Sequence, residues 1–273
     1  MFSSVKAWFA GSEQEEGDVE APFAEEGTSI PFIQCNADGK FEIGQEAQNL
    51  LRSIDGPLGV VAVCGRARQG KSYILNRLSK EAGGTHGGFK VGSTHEPCTK
   101  GLWIWSKPLL QIAADGTPYH LLLLDTEGVD AYDQTAQYST QIFALAMLLS
   151  STFIYNQMGG VDEAAIERLA LVTEISRTIR SKSSPGKSSD AWDEFSPNFI
   201  WLLRDFFLDL SDKTGQSITP EEYLEETLKE IPGNYNSDKN QSRASIKTLF
   251  PKRQCITLVV TRAASSLRAR PTC

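Results

Sequence analysis

The sequence predicts an α/β fold with a mostly parallel central sheet, one antiparallel strand and helices on both faces. Three observations carry this. Apolar runs of strand length alternate with segments of helical periodicity. One run, Leu58 to Cys64, is apolar throughout, as a strand covered on both faces requires. It leads straight into Gly65-Arg-Ala-Arg-Gln-Gly70-Lys71-Ser72 and then a helix-compatible segment, Tyr73 to Leu78. With 273 residues, 40% hydrophobic and 22% charged, the chain has the composition and length to bury a sizeable core.

Taken in order, residues 1–29 read as an acidic disordered leader, because Glu13, Glu15, Glu16, Asp18, Glu20, Glu25 and Glu26 leave little apolar surface to bury. Order is expected from Ile30. Ser29 to Cys35 reads as a strand, Asn36 to Gly39 as a turn, and Lys40 to Ile43 as the hairpin partner. Ala47, Leu50, Leu51 and Ile54 mark a helix over 45–54. Beyond the Gly65–Ser72 loop, Gly101 to Trp105 and Tyr119 to Leu124 are strands, joined as an antiparallel hairpin through Ala113 to Pro118. Ser151 to Tyr155 and Asn198 to Leu203 are further buried strands, and Val161 to Ile179 is a helix between them. Arg180 to Asp190, rich in Ser and Lys, reads as a surface loop. Pro220 with Glu221 and Glu222 signals a helix start, running to about Ile231, and Cys255 to Val260 reads as the last strand.

The formal charge of −7 argues against a general nucleic-acid binder, which needs a basic excess to neutralise phosphates. The five cysteines have no CxxC or CxxH spacing, so neither a zinc site nor a disulfide framework is expected. Reduced thiols suit an intracellular, cytoplasmic protein. The most apolar stretch, Ile142 to Leu149, is too short to cross a bilayer.

Chemistry concentrates at three places. In Gly65-x-x-x-x-Gly70-Lys71-Ser72, the glycines let successive backbone N–H groups turn toward phosphate oxygens, and the following helix adds its positive end. Lys71 would reach the β- and γ-phosphates and Ser72 would ligate Mg²⁺. Downstream, Leu121-Leu-Leu-Leu-Asp125-Thr-Glu127-Gly128 is an apolar strand ending in a carboxylate. Asp125 there could hold Mg²⁺ through water, and the Gly128 N–H could approach a γ-phosphate. Between the two lies Gly92 to Gly101, where a hydroxyl could be a second metal ligand; Ser93, Thr94 and Thr99 all qualify by position. A base-recognition Asn-Lys-x-Asp is missing from the sequence. Instead Phe199-Ile-Trp-Leu-Leu-Arg204-Asp205 ends a strand. An aspartate there can accept from guanine N1–H and N2–H₂ together, a donor pair adenine lacks. By itself, Arg-Asp at a strand tip fits a salt-bridged turn better than a base reader.

Together these residues resemble the guanylate-binding protein and atlastin branch of the dynamin-like large GTPases, over roughly residues 30–260. The resemblance rests on the Gly65–Ser72 loop with Tyr73 and Asn76, and on Gly92-Ser-Thr with Thr99-Lys-Gly-Leu-Trp-Ile-Trp105. It rests also on Asp125-Thr-Glu-Gly128, Thr152-Phe-Ile-Tyr-Asn156 and Trp201-Leu-Leu-Arg204-Asp205. It implies a phosphate-loop GTPase fold, the large G domain, that binds GTP with Mg²⁺ and hydrolyses it to GDP and phosphate. Nucleotide contacts would fall on Arg66, Ala67, Arg68, Gln69, Gly70, Lys71, Ser72, Tyr73, Asp125, Glu127, Gly128, Arg204 and Asp205. Ser72 and Thr99 would be the metal ligands, and Lys71, Thr99 and Arg68 would carry catalysis. Arg68 matches the arginine that family members turn onto the transferred phosphoryl group when two G domains meet, which implies a nucleotide-dependent homodimer.

Two departures stand out. Pro97 occupies the place where guanylate-binding proteins have a serine that helps orient the attacking water. After Val259 the resemblance ends, and residues 261–273 read as a short basic divergent tail, with the family's helical domain absent. A catalytically weak GTP-binding module that modulates full-length relatives is therefore the alternative function. Location is expected to be cytoplasmic, with peripheral attachment to intracellular membranes through partners.

Overall fold

The computed structural model describes residues 27–84, 88–89, 101–128, 135–183, 196–212 and 214–258. The chain is already packed at Thr28, which exchanges hydrogen bonds with Ser106, two residues before the expected Ile30. The rest of the expected acidic leader, the Gly92–Lys100 segment with Thr99 and Pro97, and the tail beyond Leu258 lie outside the described residues.

The first hairpin is β1 (Ser29–Cys35) and β2 (Phe41–Ile43), followed by α1 (Gln45–Ser53). Its turn is fixed by Asn36, whose side-chain oxygen accepts from the N–H groups of Asp38 and Lys40. Next come β3 (Leu58–Gly65) and α2 (Lys71–Glu81), then β4 (Leu102–Trp105), β5 (Leu109–Ile112) and β6 (Pro118–Thr126). The second half holds α3 (Ala136–Leu149), β7 (Thr152–Met158), α4 (Glu163–Ser183), β8 (Asn198–Arg204), α5 (Pro220–Thr227), α6 (Ser237–Leu249) and β9 (Arg253–Leu258). The α5 start is closed by a capping box, Thr219 on the Glu222 N–H and Glu222 on the Thr219 N–H.

All nine strands form one sheet, in the order β2-β1-β4-β6-β3-β7-β8-β9, with β5 paired to β6. From β6 to β9 the neighbours run parallel. The antiparallel part is larger than one strand: β4 joins β6, β1 joins β4, β2 joins β1 and β5 joins β6, all antiparallel. The hairpin expected between the segments at 101 and 119 is thus made by β5, closed across Ala113 and Thr117 (2.8 Å). β4 pairs with the far end of β6 instead.

Alternation along β3 explains the two cores. Val61 and Val63 face α2, meeting Ile74, Leu75 and Leu78. Ala62 and Cys64 face the other layer, with Phe143 and Met147 of α3 and Leu169 and Val172 of α4. That layer also takes Tyr155, Phe199, Trp201 and Phe250, whose rings pack against one another. Each such aromatic contributes about 1.5–3 kcal/mol by burial. Three differences from expectation have simple causes. α4 runs to Ser183, beyond Ile179, because Arg180 and Lys182 are good helix formers and Pro185, the next breaker, comes only after its end. α5 stops at Thr227, and Ile231 lies beyond it, held by Asn240 of α6 through its N–H and carbonyl. α3 and α6 were not expected at all.

Candidate functional site

The parallel strands end together, and the order β6-β3-β7 places successive crossovers on opposite sides of β3. The crevice beyond the carboxyl ends of such strands is where α/β sheets bind ligands. Gly65 closes β3, Thr126 closes β6, and Arg204 closes β8, so the Gly65–Ser72 loop, Asp125 and Asp205 all arrive at this edge.

Within the loop, Gly70 sits at φ 71°, the left-handed region, and is the residue before α2. The backbone angle favours glycine there, and a Cβ would also crowd the end of the Arg204 side chain, 2.6 Å away at Nη1. Gly70 supplies no side-chain cap to α2, and the first N–H groups of a helix have no partner within it, so they can serve an anion. Lys71, the first helical residue, is only 6% exposed, and its Nζ donates to the Arg66 carbonyl at 3.2 Å. Burial lowers its pKa from 10.5, opposed by the nearby charge of Asp125, then Cys64 and Glu127.

Ser72 Oγ donates to Asp125 Oδ2 at 2.6 Å, joining the two motifs that the sequence separates by 53 positions. Asp125 is buried, and its Oδ1 accepts from the Thr126 N–H at 3.0 Å. Thr126 Oγ1 in turn donates to the Val63 carbonyl. The Cys64 thiol lies in the same pocket, its pKa pushed up to about 12 chiefly by burial. Glu127, also buried, accepts through one oxygen from the Gly101 N–H and the Tyr138 hydroxyl, both at 2.9 Å. Desolvation and this carboxylate raise the Tyr138 pKa, so the phenol stays a donor. A Cβ on Gly128 would fall 2.2 Å from the Ala67 Cα, so its backbone lies directly on the phosphate loop.

Arg66, Arg68 and Tyr73 are exposed along the loop and first helical turn, while Ala67 and Gln69 are half-buried. Among the described residues, Arg68 (φ 65°) and Asp205 (φ 49°) are the non-glycine residues with positive φ. Such strain persists where the surroundings over-determine it, and it clusters at working sites. Arg204 turns its guanidinium to the Gln69 carbonyl, while Asp205 is half-buried beside exposed Phe207 and Leu208.

The donor set suits Mg²⁺: a hydroxyl and a carboxylate, hard oxygens, converge next to a helix start able to hold phosphates. Among the described residues no group of three or more His, Cys, Asp or Glu converges on a point. A metal here would thus complete its shell with phosphate oxygens and water.

Asn156 was not picked out as a site residue from sequence, yet its Nδ2 donates to the Gln69 carbonyl at 2.9 Å. Tyr138 was missed too. A polar pair, Asn156-Gln157, ending an otherwise apolar strand was the available signal for the first.

Residues 38–269 match the family model for the guanylate-binding protein N-terminal domain. The chain belongs to the guanylate-binding protein family. The matched residues run past 260, where the sequence reading placed the end of the resemblance. Guanylate-binding protein 3 of Homo sapiens is 43% identical over 228 residues, and guanylate-binding protein 1 of Mus musculus 44% over 227. Guanylate-binding protein 2 of Homo sapiens is 42% identical over 228 residues. In each case the alignment covers 81% of this chain and 37% of the relative, so the chain spans little more than a third of their length. Within this family the site just described occupies the N-terminal domain, and among the described residues no helix is long and apolar enough to cross a membrane.

Proposed function

We propose that this chain binds GTP with Mg²⁺ and hydrolyses it to GDP and phosphate, with turnover raised when two G domains meet. The carrying observation is the junction of buried Lys71, Ser72 and Asp125, closed at 2.6 Å, with Gly128 packed on the loop.

The triphosphate lies along the loop N–H groups and the α2 start. An anion at Nζ offsets the burial that depresses the Lys71 pKa, so the lysine holds β- and γ-oxygens as a cation. Ser72 and Thr99 would hold the magnesium, and Asp125 would accept from a water bound to it. When bound, the ion neutralises charge on the β- and γ-oxygens. Water oxygen bonds to the γ-phosphorus as the bond to the β–γ bridging oxygen breaks, giving GDP and phosphate. Arg68 offsets charge on the transferred group, a reading supported by its exposure on the loop and its left-handed backbone. Asp205 receives the guanine N1–H and N2–H₂. The family name and relatives called guanylate-binding proteins support the guanine choice. Exposed Phe207 (73%) and Leu208 (63%) beside Asp205 support a partner face on this edge.

The second reading, a weakly catalytic GTP-binding module that modulates longer relatives, is favoured by Pro97, which offers no hydroxyl or N–H to a water. Turnover separates the two. Specific GTP hydrolysis is expected to rise with protein concentration and to fall about 10³-fold in Arg68→Ala, the lower end for a phosphoryl-directed arginine. A rate independent of concentration and indifferent to Arg68 would defeat the dimer-assembled mechanism. Binding without measurable turnover would select the module. Attachment to membranes through partners belongs to the same proposal, and flotation with vesicles would test it.

A further inference from the structure

We propose that Asn156 and Arg204 are positioning residues for the phosphate loop, and that Arg204 serves phosphate binding while its neighbour Asp205 reads the base. This rests on the nucleotide reading above and divides its labour.

Two side chains converge on one atom of the loop. The Gln69 carbonyl accepts from Arg204 Nη1 at 2.6 Å and from Asn156 Nδ2 at 2.9 Å. These donors come from the tips of adjacent parallel strands, β7 and β8, and register places Asn156 beside Gly65 at the start of the loop. Both ends of the loop are therefore referred to the same strand tip. Gln69 stands between Arg68, at φ 65°, and Gly70, at φ 71°. A carbonyl fixed from two sides sets the Gln69–Gly70 peptide plane, so the clamp helps to sustain the left-handed residues on either side of Gln69. Arg204 passes so close to Gly70 that a Cβ there would meet Nη1 at 2.6 Å, which leaves the guanidinium facing the loop.

Asn156 is fully buried, and its Oδ1, like Gln69 Oε1, has no hydrogen-bond partner among the described residues. A position serving the core alone would be better filled by an apolar side chain, because an unpaired buried oxygen costs stability. The amide is kept for the one bond it donates. A packing role and a loop role thus differ in sign: replacing Asn156 with an apolar side chain relieves the core and loosens the loop.

The test measures affinity of the intact chain for GTP, GDP and, by competition, ATP, all with magnesium, together with the nucleotide-free thermal midpoint. Asn156→Leu and Arg204→Met are each expected to weaken GTP and GDP together by about tenfold, the effect of losing one such bond. The GTP-to-ATP affinity ratio stays within about twofold of wild type, since a lost loop contact weakens both nucleotides alike. The nucleotide-free midpoint of Asn156→Leu holds or rises. The double variant loses less than the product of the singles, because both donors share one acceptor. Arg204→Lys recovers affinity. Unchanged affinity in both variants, or a collapsed GTP-to-ATP ratio in Arg204→Met, would overturn the proposal. If Asn156→Leu fails to fold, the half-buried Arg204→Met decides. A wild-type chain that takes up no GTP would fail the nucleotide reading itself, before any variant is compared.

Discussion

Asp205 and Arg68 hold backbone angles that side chains rarely adopt, and the proposed function rests a separate step on each. For Asp205, the step is base choice. Asp205→Asn exchanges one acceptor oxygen for a donor and removes the charge, which should weaken GTP by about 2 kcal/mol, roughly thirtyfold. ATP should change little, so competition between the two nucleotides reads the effect. The cysteines give a second expectation. Burial pushes the Cys64 and Cys255 thiols up to about 12, so at pH 8 neither forms appreciable thiolate. Alkylation followed by peptide mass analysis should leave both unmodified in the folded chain and modify both after denaturation. Lys71, Ser72 and Asp125 were legible because phosphate chemistry fixes residue type and spacing together. Asn156 was not, since its partner, Gln69, lies 87 positions away, and the polar pair Asn156-Gln157 marks an oddity in the strand without pointing to that partner.

At the level of elements, the strands were legible because burial on both faces leaves runs of Val, Leu, Ile and Phe with little interruption. The two helices that escaped notice failed for opposite reasons. α3 is apolar around much of its circumference, burying Ile142, Phe143, Ala144, Ala146 and Met147, so its stripe has no polar contrast. α6 has too few apolar residues, because a core position is filled by Arg243, which is 4% exposed. Arg243 is held by both oxygens of Glu163 on α4, each at 2.7 Å, and by the Thr227 and Lys239 carbonyls. Glu163→Gln should cost about 2 kcal/mol, below the figure for a wholly buried pair because the Glu163 side chain is 31% exposed. Hydrogen bonding to Arg243 holds the Glu163 pKa below its ordinary 4.5, against a smaller desolvation effect. A depressed folded value stabilises fully above about 4.5 and is lost as pH falls through it. Denaturation of wild type and variant should therefore differ most near neutrality and converge in acid. A gap that widened on acidification would contradict the pairing.

Across the whole molecule, one twisted sheet brings motifs separated by more than a hundred residues to a single edge. The sequence announced the motifs and the α/β class. It announced the β1–β2 hairpin and an antiparallel strand at β4, but not β5, nor that β1 would join β4 and so carry the hairpin into the same sheet, because pairing between distant strands follows from connections and not from composition. What the edge does is asked most directly by titrating GTP, and separately ATP, into the magnesium-supplied chain in a calorimeter. The expected result is saturable heat for GTP at one site per chain, with ATP at least about thirtyfold weaker, as the lost base pairing requires. No heat with GTP, or equal affinity for ATP, would contradict a triphosphate seated around Lys71 with its base judged by Asp205.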